Sequence, residues 1–253
     1  MTQIVCVHSF RGGTGKSNIT ANLAALLARR GKRVAIVDTD IQSPGVHVLF
    51  GIDEKSMQHS LNEFLWGECE ITDAAQDVTA LVGDGTAGRL FMIPASLRAG
   101  DIARVLHDGY DVSQLQNGFE VLVDRLALDV LFIDTHPGLN EETLLSVALS
   151  DVMLVLLRPD QQDYQGTAVT LQVARRLDIP CMLLVLNKLS HSLDAAALSN
   201  RIEGIYGCKV AGALPHSDDL MLLGSSGLFV VRFPDHPLTA ALGRIADAFV
   251  EAG

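Results

Sequence analysis

Arg11-Gly12-Gly13-Thr14-Gly15-Lys16-Ser17 is the stretch on which the reading of this chain turns. It lies between a short apolar run, Gln3–His8, and a segment in which Leu23, Leu26 and Leu27 repeat at helical spacing before basic residues and Gly31 end it. Glycines packed this closely let the backbone wrap with its N–H groups pointing inward. A helix beginning near Lys16 then aims its positive end at the same spot. Strand, glycine loop, Gly-Lys-Ser and helix together make a specific phosphate-binding signal, in contrast to a chance glycine-rich turn. Gly12, Gly13, Thr14, Gly15, Lys16, Ser17 and Asn18 are therefore the expected nucleotide contacts, with Lys16 on the β and γ phosphates and the Ser17 hydroxyl on Mg²⁺. Against the common pattern G-x-x-x-x-G-K-[ST], the first glycines stand one place late.

Outward from the loop, short β-rich runs alternate with longer segments of helical period, as in βα units feeding a parallel sheet. Strands are expected at Gln3–His8, Arg33–Asp38, Arg89–Pro94, Asp129–Asp134, Val152–Leu157, Cys181–Leu186 and Lys209–Ala213. Helices are expected at Ser17–Arg30, Ser60–Trp66, Ala99–Leu106, Gln114–Leu126, Glu141–Ser150, Gln161–Leu177, Ala195–Tyr206 and Leu238–Glu251. The turn-rich stretch Gly83–Gly88 reads as a loop or hairpin turn, and no linker or repeat divides the chain. The expected fold is α/β: one doubly wound, mostly parallel sheet flanked by helices, spanning 1–253 as a single domain. Its ligands belong at the carboxyl ends of the strands.

Composition narrows the setting. Nineteen basic against thirty acidic residues give a formal charge of −11, which disfavours non-specific attraction to nucleic acid or anionic lipid. Cys6, Cys69, Cys181 and Cys208 are far apart, with no C-x-x-C pair, and read as buried thiols of a reducing compartment. Met1-Thr2-Gln3 leads directly into an apolar strand without the features of a signal peptide, and no apolar run approaches the ~20 residues of a membrane span. A cytoplasmic location is expected.

The late glycine pair resembles the deviant Walker loop of the MinD/ParA family of dimerising ATPases, whose usual form is K-G-G-x-G-K-[ST]. The resemblance implies a P-loop NTPase fold of the SIMIBI type and covers nearly the whole chain. Arg11 stands at the family's signature lysine, which reaches across a homodimer to the partner's nucleotide. A guanidinium forks onto phosphate oxygens, so Arg11 is a candidate finger in trans; the alternative is a loop cation held within its own subunit. Asp38-Thr39-Asp40 is similar to the D-x-D of switch I, which implies that Asp38 helps organise the Mg²⁺ shell and Asp40 orients the attacking water. Leu131–Gly138 looks like the Walker B strand entering switch II, with Asp134 toward Mg²⁺ and Gly138 as a pivot. The family commonly has Pro, or Pro and Ala, where this chain has His136-Pro137; a pH sensor or a nucleotide contact is open to His136, a solvated loop histidine is the commoner outcome, and no catalytic role is assigned to it. Asn187-Lys188 closes the strand Cys181–Leu186 where the family reads the base. Ser190 replaces the aspartate that guanine-specific proteins carry two residues after such a lysine, favouring ATP over GTP. Pro215, in Leu214-Pro215-His216-Ser217-Asp218-Asp219, resembles the loop that flanks adenine. Ile93-Pro94-Ala95-Ser96 and Arg158-Pro159-Asp160 also follow the family pattern, the latter near its dimer face.

The last segment, Leu238–Gly253, offers Arg244 as its one base beside Asp247 and Glu251, unlike a basic membrane-targeting helix. Scattered pairs such as Arg29-Arg30 and Arg175-Arg176 do not make a strong DNA-binding patch. The expected protein is a Mg²⁺-dependent ATPase that homodimerises in the ATP state and acts as a spatial or regulatory switch, with an unidentified protein activator or cargo. A metal-cluster carrier and an ATP-dependent metabolic ligase of the same superfamily are the alternatives.

Overall fold

The computed structural model describes residues 2–250. β1 (Gln3–His8) leads through the glycine loop into α1 (Lys16–Arg29) and back to β2 (Arg33–Asp38). A single-turn helix, Val46–Phe50, and α2 (Leu61–Leu65) precede β3 (Gln76–Asp77), a second such turn, Thr79–Val82, and β4 (Arg89–Ile93). Then follow α3 (Ala99–Asp108), α4 (Ser113–Leu126), β5 (Val130–Asp134), α5 (Glu141–Ala148), β6 (Val152–Leu157) and α6 (Gln161–Arg176). β7 (Cys181–Leu189), α7 (Ala195–Tyr206), β8 (Lys209–Pro215), α8 (Asp218–Leu223), α9 (Phe229–Arg232) and α10 (Pro237–Val250) complete the order.

These strands form one eight-stranded sheet in the order β3-β4-β2-β5-β1-β6-β7-β8. Every pairing is parallel except β3 on β4, a two-residue antiparallel edge. Strand alternation divides the core: Val5, Val7, Val34, Ile36, Phe132 and Leu154 pack on one face against α1, α9 and α10. On the other face, Ala35, Val37, Leu131 and Ile133 meet α2, α3 and α4, while Cys6, Met153, Val155 and Leu184 meet α6 and α7. With both faces covered, the central strands are apolar throughout, as in Val152–Leu157, where all six residues are buried. The chain winds outward from β1 to β2 and β4, returns through β5, and then crosses to β6 on β1's other side. That reversal opens a crevice at the carboxyl end of β1, where the glycine loop lies.

The doubly wound, mostly parallel sheet is the expected one, with local differences. β7 continues past Leu186 through Leu189, so Asn187 and Lys188 belong to the strand, across irregular pairing with β8 and a left-handed Lys188 (φ 58°). β8 likewise runs on to Pro215. β3, α8 and α9 are too short for their periodicity to register in the sequence. Glu251, predicted as the end of the last helix, lies outside the described residues, as does Met1.

Candidate functional site

Gly13 (φ 75°) and Gly15 (φ 98°) adopt the left-handed conformation that side chains resist, which folds the loop back over the end of β1. Gly15 is the N-cap of α1 and gives it no side-chain hydrogen bond, whereas Asn140, Asp160, Asp194 and Ser217 cap α5, α6, α7 and α8. The first-turn N–H groups of α1 are thus left to the loop's own concavity. Two residues of β7 brace the loop from beneath. Asn187 Nδ2 donates to the Thr14 carbonyl at 2.7 Å, and Lys188 Nζ donates to the Gly13 carbonyl at 2.8 Å.

The acidic residues converge on the start of α1. Parallel pairing of β2 and β5 sets Asp38 opposite Asp134, and both are buried. Ser17 Oγ donates to Asp134 Oδ2 at 2.7 Å, and Thr20 Oγ1 to Asp134 Oδ1 at 3.2 Å. Asp38 accepts backbone N–H groups from Asp40 at 3.1 Å, Gly45 at 3.1 Å and Val46 at 3.3 Å. Burial, and then the charges of Asp134 and Asp40, push the Asp38 carboxyl well above the usual carboxylate range. Burial likewise raises Asp134 to about 6, against the opposing pull of Lys16, Ser17 and Thr20. Two buried carboxylates driven upward beside a hydroxyl form an all-oxygen donor set that suits a hard divalent cation. Among the described residues no group of three or more His, Cys, Asp or Glu gathers to hold a metal. The remaining ligands of a Mg²⁺ here would be water and phosphate oxygens, which is its usual habit.

Asp40 lies nearby and accepts on Oδ1 from the Ser43 backbone N–H and hydroxyl, each at 3.1 Å, and from His136 Nδ1 at 2.6 Å. His136 therefore differs from the solvated loop histidine expected: its side chain is 27% exposed and is committed to Asp40. Below the loop, His8 Nδ1 lies 2.9 Å from Thr135 Oγ1, whose own hydrogen goes to the Val7 carbonyl, so His8 is the donor. Burial, followed by the charges of Lys16 and His136, pushes His8 down to about 3, leaving the ring neutral with a buried, unpartnered Nε2.

Arg11 pairs with acids at the start of α6, with Nη1 3.4 Å from Asp163 and 3.5 Å from Asp160, and its side chain is 39% exposed. Burial alone would raise Asp163, but hydrogen bonds and charge from Arg158, with Arg11 adding to them, hold it below its ordinary value.

On the far side of the loop, a cavity of about 290 Å³ is lined by Gly15, Asn18, Asn187, Pro215, Phe229 and Leu238 among others. Asn18, Asn187 and Pro215, predicted from distant parts of the chain, thus share one wall-and-floor arrangement beside the loop. Ser190 is absent from that lining; its hydroxyl is exposed and pairs with Ser192 at 2.8 Å.

Every predicted site residue falls at this one crevice or on its rim. What the sequence did not disclose is how they are held: the His136–Asp40 pair, the Lys188 brace and the acids around Arg11. Asp163, three residues beyond Asp160, was the one legible hint of the last. The cysteines are all free, and only Cys6 and Cys208 are buried; Cys69 and Cys181 are half-exposed, against the expectation of four buried thiols. Among the described residues no helix is long and apolar enough to cross a membrane.

Residues 5–230 match the family model described as the CobQ/CobB/MinD/ParA nucleotide binding domain. An uncharacterised ATP-binding protein of Methanocaldococcus jannaschii is 27% identical over 253 residues, covering 100% of this chain and 89% of that one. The septum site-determining protein MinD of Synechocystis sp. is 25% identical over 230 residues, covering 90% and 81%. Among solved structures, the septum site-determining protein MinD complexed with Mg-ADP from Pyrococcus horikoshii superposes with a TM-score of 0.80 at 19% identity, over 98% of this chain and 96% of that one. At that identity the likeness speaks for the fold alone.

Proposed function

Because the chain belongs to the CobQ/CobB/MinD/ParA nucleotide-binding family, we propose that it is a Mg²⁺-dependent ATPase, a single domain that dimerises with a second copy of itself in the ATP state. The observation that carries this reading is the convergence of Lys16, Ser17, Asp38, Asp40 and Asp134 at the glycine loop, beside a cavity bounded by Asn18, Asn187 and Pro215.

Gly12, Gly13, Thr14 and Gly15 turn backbone N–H groups toward the phosphates, and Lys16 and Ser17 close the cradle at the start of α1. Ser17, Asp38 and Asp134 would hold Mg²⁺ here, Ser17 through its hydroxyl and the two carboxylates with the help of water. When bound, Mg²⁺ supplies positive charge for the transferring phosphoryl group. Asp40 accepts a hydrogen bond from the attacking water and so orients it. Asn187 and Pro215 bound the base, and the absence of a carboxylate in Ser190's place favours adenine.

Arg11 completes the site of a second subunit in this reading. Its departure from Asp163 leaves that buried carboxylate with Arg158, which already donates from the backbone N–H at 2.9 Å, from Nε at 3.0 Å and from Nη2 at 3.3 Å. Release of Arg11 therefore strands no charge. The Synechocystis relative is a septum site-determining protein, which supports a role in positioning another assembly, through a protein activator or cargo.

ATP and GTP binding and single-turnover hydrolysis, measured with and without Mg²⁺, test the proposal. The wild type should prefer ATP and hydrolyse it slowly; Lys16→Ala should lose both binding and turnover; Asp40→Ala should bind and fail to hydrolyse. Undiminished turnover by Asp40→Ala, or binding that ignores Lys16, would refute the assignment.

A further inference from the structure

The Asp40 carboxylate is bonded one-sidedly. All three side-chain and backbone donors that reach it, Ser43 N, Ser43 Oγ and His136 Nδ1, converge on Oδ1. Among the described residues none donates to Oδ2. The His136 contact, at 2.6 Å, is the shortest of the three. A carboxylate oxygen can only accept, so the ring carries its proton on Nδ1 and donates.

His136 is itself held on both sides. Thr135 before it is tied by its hydroxyl to the Val7 carbonyl at 3.1 Å, and by its backbone N–H to the same oxygen at 3.3 Å. The His136 carbonyl accepts from Thr143 Oγ1 at 3.3 Å, within the first turn of α5, whose cap Asn140 accepts the Thr143 N–H at 2.8 Å. The ring therefore projects from a short segment braced against both β1 and α5. It spans 96 residues of sequence to reach Asp40. A surface histidine that merely met an acid would have no such bracing.

From this arrangement we infer that His136 is a positioning residue for hydrolysis: by occupying Asp40 Oδ1 it fixes the carboxylate so that Oδ2 stays available to accept from the attacking water. The inference rests on the ATPase reading above and deepens it. It also joins the segment after β5 to the segment after β2, so that displacement of either carries Asp40 with it. Proton transfer is not asked of the imidazole; its work is to hold one oxygen and leave the other.

The test has two arms on the full-length chain. In protein without nucleotide, ¹⁵N-resolved spectra of the histidine side chains should show His136 protonated on Nδ1, and Asp40→Ala should abolish that preference. In steady-state assays with Mg-ATP, His136→Ala should lower kcat by roughly ten- to a hundredfold while KM and ADP affinity move less than about twofold. His136→Asn, whose side-chain amide places a donor near the Nδ1 position, should recover most of the rate. Retained turnover in His136→Ala overturns the inference, as does a neutral wild-type ring that carries its proton on Nε2 alone. A parallel loss of rate and ADP affinity that asparagine does not rescue also overturns it, because that pattern marks a structural role. A wild type that binds ATP without hydrolysing it removes the ATPase reading itself, and the positioning role falls with it, even if the Nδ1 proton is seen.

Discussion

Asp134 shows how far single side chains bend toward a ligand. In the folded chain its carboxyl is raised to about 6 by burial, while in an unfolded chain it titrates near the ordinary aspartate value of 3.8. Between those values the folded state binds more protons, so Asp134 favours folding below about pH 4 and loses that contribution as the pH rises through about 6. Asp134→Asn keeps an acceptor for Thr20 and can donate to the Ser17 oxygen. In the absence of Mg²⁺ and nucleotide it should melt higher than the wild type at pH 8, with the difference shrinking toward pH 5; it should also lose the stabilisation that Mg-ATP confers. Equal melting temperatures at pH 8, measured by scanning calorimetry, would contradict the strained pair. Asp38, Asp40 and Asp134 were legible because each ends or follows an apolar strand next to a recognisable loop. The contact of His136 with Asp40 was not legible because its partner lies across the sheet, and only the pairing of β2 with β5 brings Asp40 to it.

Elements carry these residues to the crevice, and the fit between elements is tight. Gly212 of β8 faces α10: a Cβ there would come within 2.4 Å of Ile245 Cγ1 and 2.7 Å of Cδ1. Ile245 is fully buried, and α10 is further tied into the core by Phe249, whose ring meets Phe132 edge-on at 5.6 Å. Gly212→Ala should therefore cost about 1–3 kcal/mol of stability by overpacking, read as a lower urea midpoint with unchanged slope. A midpoint equal to the wild type would show that α10 yields at this contact. Long elements were readable from period and punctuation: β1, β2, β6 and α7 match their expected bounds residue for residue. The short ones were not, because α9 has four residues and β3 two, about one period of each pattern and too little for a repeat to show. The extension of β7 was hidden for another reason. Lys188 takes a left-handed conformation for which nothing in its side chain calls; the brace from its Nζ to the Gly13 carbonyl accounts for its direction.

At the scale of the molecule, one sheet places the glycine loop, both acidic segments and the cavity at the carboxyl ends of adjacent strands, so the two faces of the site are set by a single topological reversal at β1. The overall charge of −11 and the scattering of basic residues leave Arg11 conspicuous as a cation on the rim, 39% exposed and held by two contacts of 3.4 and 3.5 Å. In the dimer proposed above, this cation passes to a second subunit when ATP is bound. Light scattering of Asp40→Ala, which should trap ATP, tests it most directly. With Mg-ATP the particle should have twice the monomer mass, return to monomer with Mg-ADP, and be a monomer under both conditions when Arg11→Ala is added to the same chain. A species that binds ATP tightly yet stays monomeric would rule out ATP-driven dimerisation, and a dimer indifferent to Arg11 would remove the residue from the interface.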